Sequence, residues 1–130
     1  MKKLKLAVIF FVFTAALISC KKDTITLTPE QVTGTYAGFR GFESENPGID
    51  CSFSILAGAV FHELSPGTEI ITGEGTWQLN GNTLTAYYHQ SEIPGHSYSI
   101  SGTINGSSFT GTWGFGNSKN NGGRLEMGRQ

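Results

Sequence analysis

The chain has 130 residues, with 9 Lys and Arg against 10 Asp and Glu, 2 Cys, 18 Gly, 4 Pro and 38% hydrophobic residues, which bounds it to one small domain. From Cys20 onward the balance is 6 basic against 10 acidic residues, a net of −4. A mildly acidic body rich in Gly and Thr carries no electrostatic footprint for nucleic acid and excludes it as a partner.

Lys2, Lys3 and Lys5 form a positive opening, and Leu6 to Ile18 is a 13-residue apolar run broken only by Thr14. The run is shorter than the roughly 20 residues a bilayer span needs and fits the apolar region of a secretory signal. Its end, Leu17-Ile18-Ser19-Cys20, resembles the bacterial lipobox. The resemblance implies a signal peptide over residues 1–19, cleavage before Cys20, and acylation of Cys20 (diacylglycerol, palmitate) as the first mature residue. An uncleaved anchor or an ordinary signal peptide is the competing reading. Lys21-Lys22-Asp23 is similar to the export tags of Bacteroidota surface lipoproteins, and Lys21 stands where a retention Asp would hold a lipoprotein at the inner membrane. The implied location is the outer membrane, on its periplasmic face or at the cell surface. With Cys20 lipidated, Cys51 has no disulfide partner and reads as a small buried hydrophobe.

Residues 20–33 read as a lipidated tether and a short helical turn. Thr28-Pro29-Glu30-Gln31 places a capping residue, a Pro at the first helical position and a Gln three after the cap, the pattern of a helix start. From residue 34 to 130 alternation and turn signals replace helical periodicity, which predicts an all-β domain. Asn80-Gly81 as a two-residue turn pairs Leu79 with Asn82 and Trp77 with Leu84; Asn105-Gly106 pairs Ile104 with Ser107, Gly102 with Phe109 and Tyr98 with Trp113. Both turns put the large apolar residues on one face and Thr or Ser on the other. Trp77, Leu84, Tyr98, Ile100, Phe109 and Trp113 are predicted to be buried, and Thr76, Thr83, Thr103 and Thr110 to be exposed.

An alternating stretch from about Asp50 to Glu63 gives another strand, bent or divided at Gly58, and a loop at Ser65-Pro66-Gly67 is expected to bring Phe61 opposite Ile71. Gly34 to Phe42 opens the sheet and Gly123 to Gly128 closes it. The result is an up-and-down antiparallel meander of seven strands, or eight if Gly58 divides the second. Inward glycines at 73, 75, 102 and 111 allow strong coiling, which favours closure into a small barrel. A curved open sheet or a sandwich is the alternative.

A helical turn followed by Gly34-Thr35-Tyr36 resembles the Gly-x-Trp opening of lipocalins, and avidin barrels open in a similar way. Gly75-Thr76-Trp77 with Leu79 to Thr85, and Ser101-Gly102-Thr103 through Trp113 to Gly123, are similar to lipocalin-like domains of Bacteroidota lipoproteins. The resemblance implies a lipocalin-like β-barrel in which Tyr36 stands for the lipocalin Trp, with Arg124 or Arg129 standing loosely for the Arg that covers it.

Catalytic patterns are missing. His62-Glu63 lacks the second His of a zinc-protease helix, since position 66 is Pro, and His89 and His96 fall on opposite faces, so no metal or cofactor is assigned. No nucleophile elbow or phosphate loop occurs, and no enzyme activity is assigned. Tyr88, Gln90, His96, Tyr98, Trp113 and Phe115 are expected to face inward near the end bearing the longer loops, as a polar-tipped aromatic cup with no charge cluster pointing into it. Two functions follow. The barrel binds a small uncharged or amphipathic ligand in its mouth, or it is a solidly packed accessory lipoprotein of the cell envelope that works by protein contact. A cavity of roughly 300 Å3 or more beneath Tyr98 and Trp113 favours the first, and a filled interior the second.

Overall fold

The computed structural model describes residues 26–130. The expected signal peptide over residues 1–19, Cys20 and residues 21–25 lie outside the described residues. The helical turn forms where Thr28 and Pro29 start it: α1 spans Pro29–Val32, and the Thr28 amide donates to Gln31 Oε1 at 2.8 Å. This is the returning half of a capping box.

Eight strands follow: β1 (Gly34–Arg40), β2 (Ile49–Leu56), β3 (Val60–Leu64), β4 (Ile71–Asn80), β5 (Thr83–Gln90), β6 (Ser97–Asn105), β7 (Ser108–Phe115) and β8 (Gly123–Arg129). Each pairs antiparallel with its successor and β8 pairs back on β1, so the meander is a closed barrel in the order β1 to β8. The open sheet and the sandwich are therefore excluded. Closure leaves no strand edge unpaired, which matters for a sheet this rich in Thr and Ser. Gly58 and Ala59, both at positive φ, divide the stretch from Asp50 to Glu63 into β2 and β3.

Both Asn-Gly hairpins form, with a register different from the predicted one. Leu79 lies opposite Leu84 and Ile104 opposite Phe109; Ile100 faces Trp113, and Tyr98 faces Phe115. The reason is local. The left-handed φ falls on Gly81 (66°) and Gly106 (61°) as the first loop residue, while Asn80 and Asn105 stay in their strands, the arrangement of hairpin turns that place Gly first. Moving the partner by two residues preserves the face of every side chain. Trp77, Leu84, Ile100, Phe109 and Trp113 are buried and Tyr98 is half-buried, whereas Thr76, Thr83, Thr103 and Thr110 are exposed.

The pairing of β3 with β4 also differs from the predicted one. Phe61 lies opposite Gly75 and not Ile71; Leu64 faces Ile71 across a bulge at Glu63 and Leu64. The loop is longer than three residues because the Ser65 amide donates to the Ile70 carbonyl at 2.9 Å, which closes it outside Pro66 and Gly67. Ile71 is left exposed at the rim.

The barrel has two unlike ends. Short turns after β2, β4 and β6, together with α1, close one end, and the chain enters there, the Leu27 amide donating to the Gly81 carbonyl at 3.0 Å. At that end the Tyr36 hydroxyl donates to the Val32 carbonyl at 2.9 Å, and Arg129, opposite Tyr36 in the β1–β8 ladder, donates to the Gln31 carbonyl. The loops after β1, β3, β5 and β7 gather at the other end.

Candidate functional site: the loop end of the barrel

Side-chain alternation decides what reaches the loop end. Tyr88 and Gln90 on β5, Tyr98 on β6 and Trp113 and Phe115 on β7 all project toward it, as predicted. Their arrangement is a stack. Phe53 contacts Phe61 (ring centroids 5.1 Å), Phe61 contacts Tyr88 (5.1 Å), Tyr88 contacts Tyr98 (5.6 Å) and Tyr98 contacts Trp113 (6.2 Å). Such tilted ring pairs add packing energy beyond their area. Trp113 is only 3% exposed. The loop after β1 folds over it: Trp113 Nε1 donates to the Gly41 carbonyl at 2.9 Å, and Phe42 packs edge-on at 5.1 Å. Gly122 lies flat on the indole, since a Cβ there would come within 2.5 Å of the ring.

The space beneath Tyr98 and Trp113 is thus filled. Deeper in the barrel a cavity of about 10 Å3 remains between Tyr36, Phe53, Ile55, Ile100, Phe109 and Met127, at the lower limit of what one water needs. The six cup residues part company. Tyr88 and Gln90 turn toward β3, Trp113 is sealed, and Phe115 stands half exposed at the rim, 5.7 Å from Tyr98. His96 is exposed on the loop after β5, beside a shallow depression of about 270 Å3 that it shares with Tyr98 and Phe115.

Contrary to the expectation of no inward charge cluster, charged side chains do reach inward at this end. Glu63 on β3 and Arg40 on β1 both reach the loop end of the barrel. Glu63 is 9% exposed, and its carboxylate accepts from Thr72 Oγ1 at 3.1 Å, Tyr88 Oη at 3.3 Å and Gln90 Nε2 at 3.4 Å. Burying a carboxylate is costly unless hydrogen bonds replace its water, and the bulge after Glu63 brings Thr72 to it. Arg40 lies over two aromatic rings, 5.2 Å from the Trp113 centroid and 5.8 Å from Phe42. Its Nε is buried without a hydrogen-bond partner. Between Arg40 and Glu63 opens a depression of about 260 Å3, lined also by Asp50, Cys51, Thr72, Gln90, Glu92 and Ile93. The signal for both residues was present in the sequence. Arg40 is four residues after inward Tyr36, and Glu63 two after inward Phe61, so period-two alternation sends both inside.

Burial dominates the chemistry of the neutral groups here. It pushes the Cys51 thiol up to about 11, with Arg40 opposing and Glu63 and Asp50 reinforcing the shift. The Tyr88 hydroxyl is raised by burial and by the adjacent Glu63 carboxylate, and Tyr36 is raised by burial against a smaller opposing effect of Arg129. Cys51 should therefore resist thiolate-directed alkylation at pH 8 in the folded chain and react only on unfolding. Rapid stoichiometric labelling of the native protein would contradict this. The Cys51 thiol stays protonated longer when folded, so its contribution to stability is whole below the ordinary thiol value of 9.0 and is lost as pH rises through about 11. Urea midpoints measured from pH 8 to 11 should fall, and Cys51→Ala should flatten the fall.

On the outer face His62 Nε2 lies 3.9 Å from Glu74 Oε1. Among the described residues no group of three His, Cys, Asp or Glu side chains is placed to hold a metal ion. Comparison with protein-family models, with curated proteins and with solved structures finds no match to this chain. The all-β, eight-stranded closed barrel is nevertheless consistent with a lipocalin-like barrel.

Proposed function

We propose that this chain is an outer-membrane lipoprotein, anchored through Cys20, whose lipocalin-like barrel works as an accessory of the cell envelope by protein contact. The observation that carries the reading is the filled interior. A ligand held by Tyr88, Gln90, His96, Tyr98, Trp113 and Phe115 needs open space beneath Tyr98 and Trp113, and the aromatic stack occupies it. The lipocalin likeness draws support from the closed end, where α1, Tyr36 and Arg129 meet. There Tyr36 stands for the lipocalin Trp, and Arg129, not Arg124, is the Arg beside it. Arg124 works at the other end, donating to Asn46 Oδ1 at 2.7 Å.

The contact surface is the loop end. Phe42, Ile49, Ile70, Ile71, Ile93 and Phe115 are all exposed there, an apolar rim of the kind that marks interaction sites. The described residues begin at the opposite end, where the Leu27 amide donates to the Gly81 carbonyl at 3.0 Å. No enzymatic step forms part of this reading.

Two measurements test it. Cys20→Ser should abolish labelling by a radioactive fatty acid and release the protein from membranes; undiminished labelling would refute the anchor. A photocrosslinking residue at Ile70 or Phe115 in living cells should give a discrete protein adduct, and one at Leu56 or Val60 near the short-turn end should not. Equal adducts at both ends, or none at the rim, would remove the contact surface.

A further inference from the structure

The depression at the loop end has an uneven charge pattern that protein contact does not require. On one wall Arg40 carries a buried Nε with no acceptor, and among the described residues no carboxylate lies within 4.0 Å of its guanidinium. A buried donor without a partner is costly; the guanidinium lies 5.2 Å from the Trp113 centroid, and its planar fork matches a planar acid group. The floor is Glu63, whose two oxygens accept three hydrogen bonds and so retain acceptor capacity. Asp50 and Glu92 complete the lining. One cation against three carboxylates repels a simple anion, while a simple cation leaves Arg40 unmatched. The carboxylates are also too dispersed for a metal ion, since no three ligating side chains converge among the described residues.

We infer that the depression between Arg40 and Glu63 binds a small zwitterion, an ammonium and an acid group on one short skeleton, with the acid group on Arg40 and the ammonium toward Glu63. The volume of about 260 Å3 is that of roughly eight or nine waters, enough for an amino acid with a modest side chain, and Leu64, Pro66 and Ile93 give that side chain an apolar wall. The inference goes beyond the contact reading and is independent of it: a partner can dock on the rim whether or not the depression is occupied.

The test is calorimetry on the purified chain, with Trp fluorescence as a second readout because Trp113 touches Arg40. The probes are glycine, alanine, β-alanine and phosphoethanolamine, with acetate and ethylamine as single-charge controls. At least one zwitterion should bind saturably and at least about tenfold more tightly than either control. Saturation by the amino acids points to a free amino acid, and saturation by phosphoethanolamine alone to a lipid-derived headgroup. Arg40→Gln and Glu92→Gln should each weaken binding, by about tenfold and about threefold respectively, with circular dichroism unchanged. Glu63→Gln should weaken it about tenfold where that variant folds; where it does not, the other two substitutions decide. No saturation by any zwitterion up to about 100 mM, equal binding of the controls, or wild-type affinity in Arg40→Gln would overturn the inference.

Discussion

Trp113→Ala is expected to cost about 3–5 kcal/mol. The indole is 3% exposed, it ends the aromatic stack that crosses the barrel, and its Nε1 ties β7 to the loop after β1 through Gly41. Truncation leaves three things at once: a cavity, a Gly41 carbonyl without its donor and an Arg40 guanidinium that keeps only the Phe42 ring, 5.8 Å away. For a domain of this size each kcal/mol moves the melting temperature by about 4–8 °C, so the variant should melt tens of degrees lower or fail to fold at growth temperature. Phe115→Ala is the control. That ring lies two residues away and contacts Tyr98 and Trp113, but it is 50% exposed, and its loss should cost about 1 kcal/mol or less. Urea unfolding of the two variants measures the contrast; comparable losses would mean that the loop end is not packed around Trp113.

The second large effect is expected at a glycine. Gly111 on β7 lies opposite Gly102 on β6, and a Cβ on Gly111 would sit 2.1 Å from the Ser101 carbonyl oxygen and 2.5 Å from Gly102 Cα. Both are backbone atoms of the neighbouring strand, so relief requires the β6–β7 ladder itself to move. Gly111→Ala should therefore cost about 3 kcal/mol or more. At Gly128 on β8 a Cβ would meet nothing within 4 Å, and Gly128→Ala should be neutral or stabilise by up to about 1 kcal/mol. The same unfolding experiment compares them. Equal losses would show that chain entropy, and not steric contact, sets the role of glycine in this barrel.

Alternation is the property that carried over from sequence to structure most fully. The residues that Asn80-Gly81 and Asn105-Gly106 sorted onto two faces keep those faces, although each pairing moved by two residues, because the strand period is two and an even slip is invisible to it. Which residue leads the turn was not legible, since both Asn and Gly adopt left-handed φ and only the pairing of the flanking strands chooses between them. The bulge between Glu63 and Leu64 was hidden for a similar reason. It follows from where Ser65 and Ile70 close their loop, a contact across the chain that no pattern within β3 announces.

The loop end shows the same division. The sequence by itself determined the all-β meander, the inward apolar face, the capped turn at Thr28 and the inward parity of Tyr88, Tyr98 and Trp113, since these depend on period, turn chemistry and neighbours within a few residues. Only the tertiary structure decided that the meander closes, because closure needs β1 to find β8 across about ninety residues of chain. It also decided that the aromatic residues fill the mouth and do not line it. Whether inward rings leave a cavity depends on the barrel's radius and on the loop carrying Gly41 and Phe42, and both are set by all eight strands together.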